Sequence, residues 1–365
     1  MRRLVVGASA VMGILILLGV LADASENVAD ESPPEAAPES PPKAAAAATP
    51  TPVSLTRPLV LTYYFYWYDA ATGGHLQEST LKHHPPQTPA AAWHSVAWHR
   101  KELADMAAAG IDVVLPVFWG SGSAEDRWST EGLAVLATAW DQLRAEGVNP
   151  PKIGLFFDTT IIDQRNLTTG AGKAWFYQNF AEFFRRVPSR MWAAAAQGPI
   201  IFLFISNWTA AVDQTTFDYV YEHFTADFGV RPYMVREVSW DYPILRWEGK
   251  ERVWDYQNPV VTENSYLWAG SIHGFVDRGG VAVVGPGYDD RHIPDRGGGR
   301  ATERDDGRFY IEQFRKAIAA RKSMLVIETW NELHEGSGIS ETREFGRKYI
   351  DLTRQLSAEY KASWR

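Results

Sequence analysis

The sequence predicts a (β/α)8 TIM barrel forming one domain, and three observations carry that prediction. From Pro58 onward, short β-rich apolar runs alternate with longer stretches of helical period, the pattern of a parallel α/β sheet. Eight such runs can be counted, with irregular connections after strands 5 and 6. No GxGxxG or GxxxxGK(S/T) sequence opens any helix, so an open nucleotide-binding sheet loses its main support.

The elements follow in order. "LVLTYYFYW", Leu59 to Trp67, reads as the first strand, and a helix from Ser95 to Ala109 stops at Gly110. "IDVVLPVFW" from Ile111 is the second strand, and the 3.6-residue spacing of Leu133, Leu136, Trp140 and Leu143 marks the next helix. "KIGLFFD", Lys152 to Asp158, is the third strand; Phe176, Phe180, Phe183 and Val187 give the helix before "PIIFLFIS", Pro199 to Ser206. Phe217, Val220, Phe224 and Phe228 lead to the fifth strand, "PYMVRE", Pro232 to Glu237. Between Ser239 and Gly280 the pattern weakens, with "SYLWAG" as the sixth strand. It recovers with "GVAVVGPG" from Gly280, a helix from Arg308 to Arg321, the eighth strand "SMLVIETW", and a last helix carrying Phe345, Tyr349, Leu352 and Leu356 on one face.

Composition narrows the chemistry. The formal charge of −8 is partly carried by an acidic N-terminal region, and no basic stripe appears, which argues against nucleic acid as a partner. The chain has no cysteine, removing disulfides, thiolate nucleophiles and cysteine-bound metals. Arg2 and Arg3 precede an apolar run from Leu4 to Leu21, and Ala22-Asp23-Ala24 has the small-x-small form of a signal-peptidase site. Residues 1–24 therefore read as a signal peptide or an uncleaved membrane anchor, the only route to a membrane. Residues 25–57, rich in Pro, Ala and Glu, read as a disordered linker, and 58–365 as the catalytic barrel of an exported or cell-surface protein, expected to be a monomer.

In such a barrel the chemistry gathers where strands end and βα loops begin. That rule selects Tyr66, Trp67 and Asp69 after strand one, Trp119 after two, Asp158 after three, and Asn207 and Trp208 after four. It adds Glu237 after five, Trp268 after six, Tyr288, Asp289 and Asp290 after seven, and Trp330, Asn331, Glu332, His334 and Glu335 after eight. Acids, amides and indoles with almost no lysine describe a site for neutral polyols, whose hydroxyls suit carboxylates and whose C–H faces suit tryptophan. His75 and the histidines of "LKHHPP" lack HExxH spacing, so a loop role or a sugar contact is expected and no metal or other cofactor.

Glu332 and Glu335, in "TWNELHEG", are three residues apart; on a helical turn they would share a face. Two carboxylates that close cannot both ionise freely, so one becomes a proton donor and the other a base. The competing reading is a helix start, with Asn331 as N-cap and acids in the first turn. Glu328, within the strand, is expected to be structural.

The stretch "ETWNELHEGSGI" resembles the last-strand motif of glycoside hydrolase family 99 and its relatives, the endo-α-mannosidase-like barrels. "ELADMAAAGIDVVLPVFWG", Glu102 to Gly120, and "GPGYDDR", Gly285 to Arg291, are similar to further segments of that group. Leu333 stands where that family often has tryptophan and Ser340 where an acid often follows; the aromatic run "YYFYWYDAATGGH" is also not its usual opening. The resemblance implies a retaining mechanism in which the sugar's own 2-hydroxyl attacks the anomeric carbon. Glu332 would take the proton of that hydroxyl. Glu335 would protonate the leaving oxygen and then activate water. An ordinary retaining glycosidase instead holds its carboxylates about 5–5.5 Å apart across the anomeric centre.

The expected function is hydrolysis of an α-linked polysaccharide or glycan, mannan-like by resemblance. A non-catalytic carbohydrate-binding barrel and an extracellular transglycosylase remain as alternatives.

Overall fold

The computed structural model describes residues 58–364, other than 122–125, 197, 250 and 295. The expected signal segment, 1–24, and linker, 25–57, lie outside the described residues. Among those described, no helix is long and apolar enough to cross a membrane.

Eight parallel strands form the barrel in chain order: β1 (Leu59–Tyr64), β2 (Val113–Phe118), β3 (Leu155–Phe157), β4 (Gly198–Leu203), β5 (Tyr233–Glu237), β6 (Asn264–Tyr266), β7 (Val281–Val284) and β8 (Met324–Ile327). Each pairs with its chain neighbour up to β6, and β8 pairs with both β7 and β1. Strands β1, β2, β4, β7 and β8 are buried along their whole length, which is why they read as unbroken apolar runs rather than alternating ones.

The remaining seam, β6 against β7, is made by the Gly280 N–H bonding the Ser265 carbonyl at 2.9 Å and by a bridge between Tyr266 and Gly279, so the barrel is nearly closed. Glycine is required here. A Cβ on Gly280 would lie 2.0 Å from Asn264 Oδ1, and Gly279 has φ +75°.

Among the described residues seven α-helices flank the sheet: α1 (Val96–Ala108), α2 (Arg127–Ala145), α3 (Gly170–Arg186), α4 (Gln214–Phe228), α5 (Gly270–His273), α6 (Arg308–Ala319) and α7 (Lys348–Ala362). Their starts follow from local chemistry. Ser95 caps α1, Thr169 caps α3 and Asp213 caps α4, each accepting from a backbone N–H in the first turn. The buried positions of α2 include Leu133, Leu136, Trp140 and Leu143, the stripe expected from periodicity. After β5 no α-helix forms among the described residues; a short 3-10 turn, Val238–Trp240, and an antiparallel hairpin, Ile244–Glu248 with Glu251–Trp254, take its place, and α5 after β6 is a single turn. These are the two irregular connections the sequence predicted.

Alternation along β1 and its exit divides its aromatic side chains between two layers. Tyr63 stacks inside the barrel against Phe156 at 4.3 Å and Trp268 at 5.2 Å between ring centroids. Tyr64 faces outward onto Trp98 and His99 of α1. The interior is thus filled by rings, Phe202, Phe204 and Tyr266 among them, and these form the floor beneath the site.

Candidate active site

The segment after β8 makes a turn and no helix; the next helix is α7, starting at Lys348. Asn331 is therefore no N-cap. Its side chain clasps the Phe65 backbone instead, accepting from the N–H at 2.9 Å and donating to the carbonyl at 2.8 Å. Tyr68 completes the clasp, donating to the Asn331 carbonyl at 2.8 Å and accepting from the Leu333 N–H at 3.1 Å. Gly336 ends the turn with φ +60°, and a Cβ there would meet Lys82 Cγ at 2.6 Å. The glycine of the motif is a packing requirement. Arg304, between the rings of Phe345 and Tyr349, braces the turn by donating to the Gly336 and Gly338 carbonyls at 2.6 and 2.7 Å.

This scaffold sets the two glutamates side by side and nearly closed off, Glu332 4% and Glu335 5% exposed. Each is held by one oxygen. Glu332 Oε1 accepts from His334 Nδ1 at 2.9 Å and from the His334 N–H at 3.0 Å. Glu335 Oε1 accepts from Arg296 at 2.9 Å. Among the described residues neither Oε2 has a hydrogen-bond partner. Burial, with the Glu332 charge beside it, pushes the Glu335 carboxyl up to about 7, against the pull of Arg296. Burial draws the His334 imidazole down, but the Glu332 hydrogen bond and the two glutamate charges outweigh it and leave it raised.

One wall is aromatic. Trp67 stacks on His75 at 4.8 Å with planes 9° apart, and meets Trp119 at 5.6 Å and His334 at 6.2 Å. Trp119 donates through Nε1 to Asp158 at 2.8 Å, so Asp158 orients an indole, and its other oxygen caps the Thr160 N–H. Burial lowers His75 to about 4, so it is neutral near pH 7. Beneath, Trp268, Tyr288, Glu328, Thr329, Glu335 and Ser337 line a small cavity. Glu328 accepts from the Ala269 and Ser271 N–H groups at 2.9 and 3.1 Å, the structural role expected of it.

Beyond Glu335, Tyr288 donates to Asp290 at 2.8 Å, and the Asp289 N–H bonds the Glu335 carbonyl at 2.8 Å. The Asp289 carboxylate is taken by Arg291 and by Lys82 at 2.6 Å, whose hydrogen bonds hold it well below the usual carboxylate range. Asp289 thus serves the loop.

Other expected site residues turn elsewhere. Tyr66 is wholly buried on the outer side of β1, donating to the Ser129 carbonyl of α2 at 2.6 Å, because strand alternation sends it away from the Trp67 side. Trp330 is likewise outside, donating to Glu102 of α1. Asn207 binds Arg252 of the hairpin at 2.8 Å; the Trp208 carbonyl accepts from the Gln164 N–H, and the Trp208 indole Nε1 is buried without a partner among the described residues. Glu237 caps its own turn, accepting from Ser239 at 2.7 Å and from Trp268 at 3.3 Å.

Sequence reasoning missed Trp128, packed 5.3 Å from Trp119, and Tyr68, Arg296 and Arg304. Only Tyr68 had a signal, its place in the same aromatic exit. Among the described residues no group of three His, Asp or Glu side chains is arranged to hold a metal.

Fold and site define a (β/α)8 barrel with paired carboxylates at the end of its eighth strand. The solved structure of the GH99 endo-alpha-mannosidase from Bacteroides thetaiotaomicron, in complex with bis-tris-propane, aligns with a TM-score of 0.60 at 14% identity, covering 84% of this chain and 98% of that one. A structure described as a glycoside hydrolase-like protein aligns with a TM-score of 0.62 at 12% identity, over 82% and 94%. At such identities the likeness is one of fold. No curated protein sequence matches the chain. The chain belongs to the family described as Domain of unknown function (DUF5010), matched over residues 62–365.

Proposed function

We propose that this chain is an exported glycoside hydrolase that cleaves an α-linked polysaccharide or glycan with retention of configuration. The observation that carries the reading is the Glu332/Glu335 pair: two enclosed carboxyls, each fixed through one oxygen and leaving the other without a protein partner. Glu335, raised to about 7, is a proton donor at neutral pH. Glu332 is held by His334 and has an oxygen left to accept a proton from the sugar's 2-hydroxyl. Neighbouring positions on one turn suit two carboxyls that serve adjacent oxygens of the same ring. The indoles of Trp67 and Trp119 supply an apolar wall on the His334 side for its C–H groups. The solved neighbour described as an endo-alpha-mannosidase supports an α-linked substrate by analogy of fold alone.

The test is a screen of the full chain and its Glu335→Gln variant on α- and β-linked polysaccharides. Sugar released by the wild type and not by the variant supports the hydrolase and names its substrate. The Arg296 bond to Glu335 favours a second reading, a non-catalytic carbohydrate-binding barrel, because an arginine partner opposes the protonated acid. Equal binding of one polymer by both proteins, with no release by either, selects that reading. Longer products on adding an acceptor would indicate transglycosylation.

A further inference from the structure

Glu335 must perform two opposite tasks if the hydrolase reading holds, and this inference rests on that reading. It first gives a proton to the leaving oxygen as that bond to the anomeric carbon breaks. It later takes a proton from the water whose oxygen attacks the same carbon. A single fixed environment serves one task at the expense of the other, since a nearby cation favours the carboxylate and burial beside another acid favours the carboxyl.

The structure carries both influences, and one of them sits on a strap. Arg296 opens the run Arg296-Gly297-Gly298-Gly299-Arg300, in which all three glycines have positive φ, +59°, +95° and +61°. Its guanidinium is divided between two acids, at 2.9 Å from Glu335 Oε1 and 3.0 Å from Asp290 Oδ2, with the Tyr288 hydroxyl at 3.4 Å. The side chain is only 9% exposed, and its Nε–H is buried without a partner. A buried orphan donor is unfavourable, so the docked arrangement is not fully satisfied. If the contact with Glu335 is released, Asp290 and Tyr288 can still hold the guanidinium. Gly297 and Gly298 have no atom within 4 Å of where a Cβ would stand, so that part of the strap is not locked by packing.

The other groups facing Glu335 belong to the barrel and its exits. They are Glu332, His334 and Glu328 from the β8 segment, Tyr288 and Asp290 from the β7 loop, and Tyr68 from the β1 exit. Arg296 is the cation in direct contact, and it alone among these groups is carried by consecutive glycines.

We propose that Arg296 is a positioning residue that selects which of its two tasks Glu335 is ready for. Docked, it shifts Glu335 toward the carboxylate that accepts the proton of water. Withdrawn onto Asp290 and Tyr288, it leaves Glu335 as the carboxyl that donates to the leaving oxygen.

The experiment uses the full chain with Arg296→Gln and Arg296→Lys, read in two ways. Glu335 is titrated by carboxyl 13C NMR, assigned by the signal lost in Glu335→Gln. Kinetics are measured on an aryl α-glycoside of the sugar found in the screen, whose good leaving group makes the second step limiting. Arg296→Gln is expected to raise the Glu335 midpoint by about one unit or more, with Arg296→Lys between it and the wild type. It should also lower kcat about tenfold or more while kcat/KM at acid pH stays within about twofold. An unchanged midpoint in a folded variant overturns the proposal, and so does a parallel loss of kcat and kcat/KM. The titration needs no substrate, so a failed hydrolase reading and a failed role for Arg296 are told apart.

Discussion

At the scale of single residues, Glu335 bears the sharpest expectations. Replacing it with glutamine removes the proposed proton donor without changing shape, so turnover should fall about 10²–10⁴-fold, with the melting temperature no lower than wild type. A variant with ordinary turnover rules out the assignment. Because the carboxyl is raised to about 7, it is protonated below that pH and ionised above it. The kcat/KM profile should therefore decline as pH climbs through about 7; a decline near the ordinary glutamate range would mean that another group is the donor. The pair itself was legible, since an acid couplet at a strand exit is a local pattern. Arg296 was not, because it lies 39 residues from Glu335 and sits in a run of glycines that reads as an ordinary loop. Tyr66 and Trp67 show the same limit differently. Both lie at the exit, but one step along an extended chain turns the first onto α2 and the second toward His334.

At the scale of elements, the joint between β1 and β8 fixes the site. Asn331 satisfies both backbone groups of Phe65, and Glu102 of α1 meets the indole of Trp330 on the opposite side. Asn331→Ala leaves a buried donor and acceptor unpaired, with an expected loss on the order of 2–4 kcal/mol in urea unfolding. A loss below about 1 kcal/mol would mean that the joint is held by other bonds. The strands and the first four helices could be read because their periods are unbroken. The hairpin after β5 was harder: its strands are short and half exposed, so no unbroken apolar run marks them. The sequence "WEGKERVW" with Gly249 at φ +61° was the turn signal available.

At the scale of the molecule, several enclosed carboxyls give stability a definite slope with pH. Burial raises Glu102 to about 7 and Glu328 to about 8, with Glu335 at about 7. A carboxyl raised on folding contributes stability that is complete below its unfolded value and is lost as pH rises through the folded one. His75, His83 and His99 are lowered by burial to about 4, 3 and 4, so their contribution is complete above the unfolded histidine range and is lost only toward acid. The two sets oppose each other between about pH 4.5 and 6.5, and above that the glutamates act together with His334, whose raised imidazole also loses stability as pH climbs. The melting temperature should fall from pH 6.5 to 8.5. Glu102→Gln, remote from the Glu332/Glu335 pair, should make that fall shallower; an identical slope would remove Glu102 from the account.

The wall of Trp67, Trp119 and Trp128 beside His75 and His334 also gives the molecule its own optical reporter. Indole emission responds to the polarity around the ring and is quenched by a charged imidazole in contact with it. On the proposed function, a sugar settling against Trp67 alters its contact with His334. Occupancy should therefore appear as a change in intrinsic fluorescence, in active and inactivated protein alike, and a glycan could be recognised before any bond in it is cut.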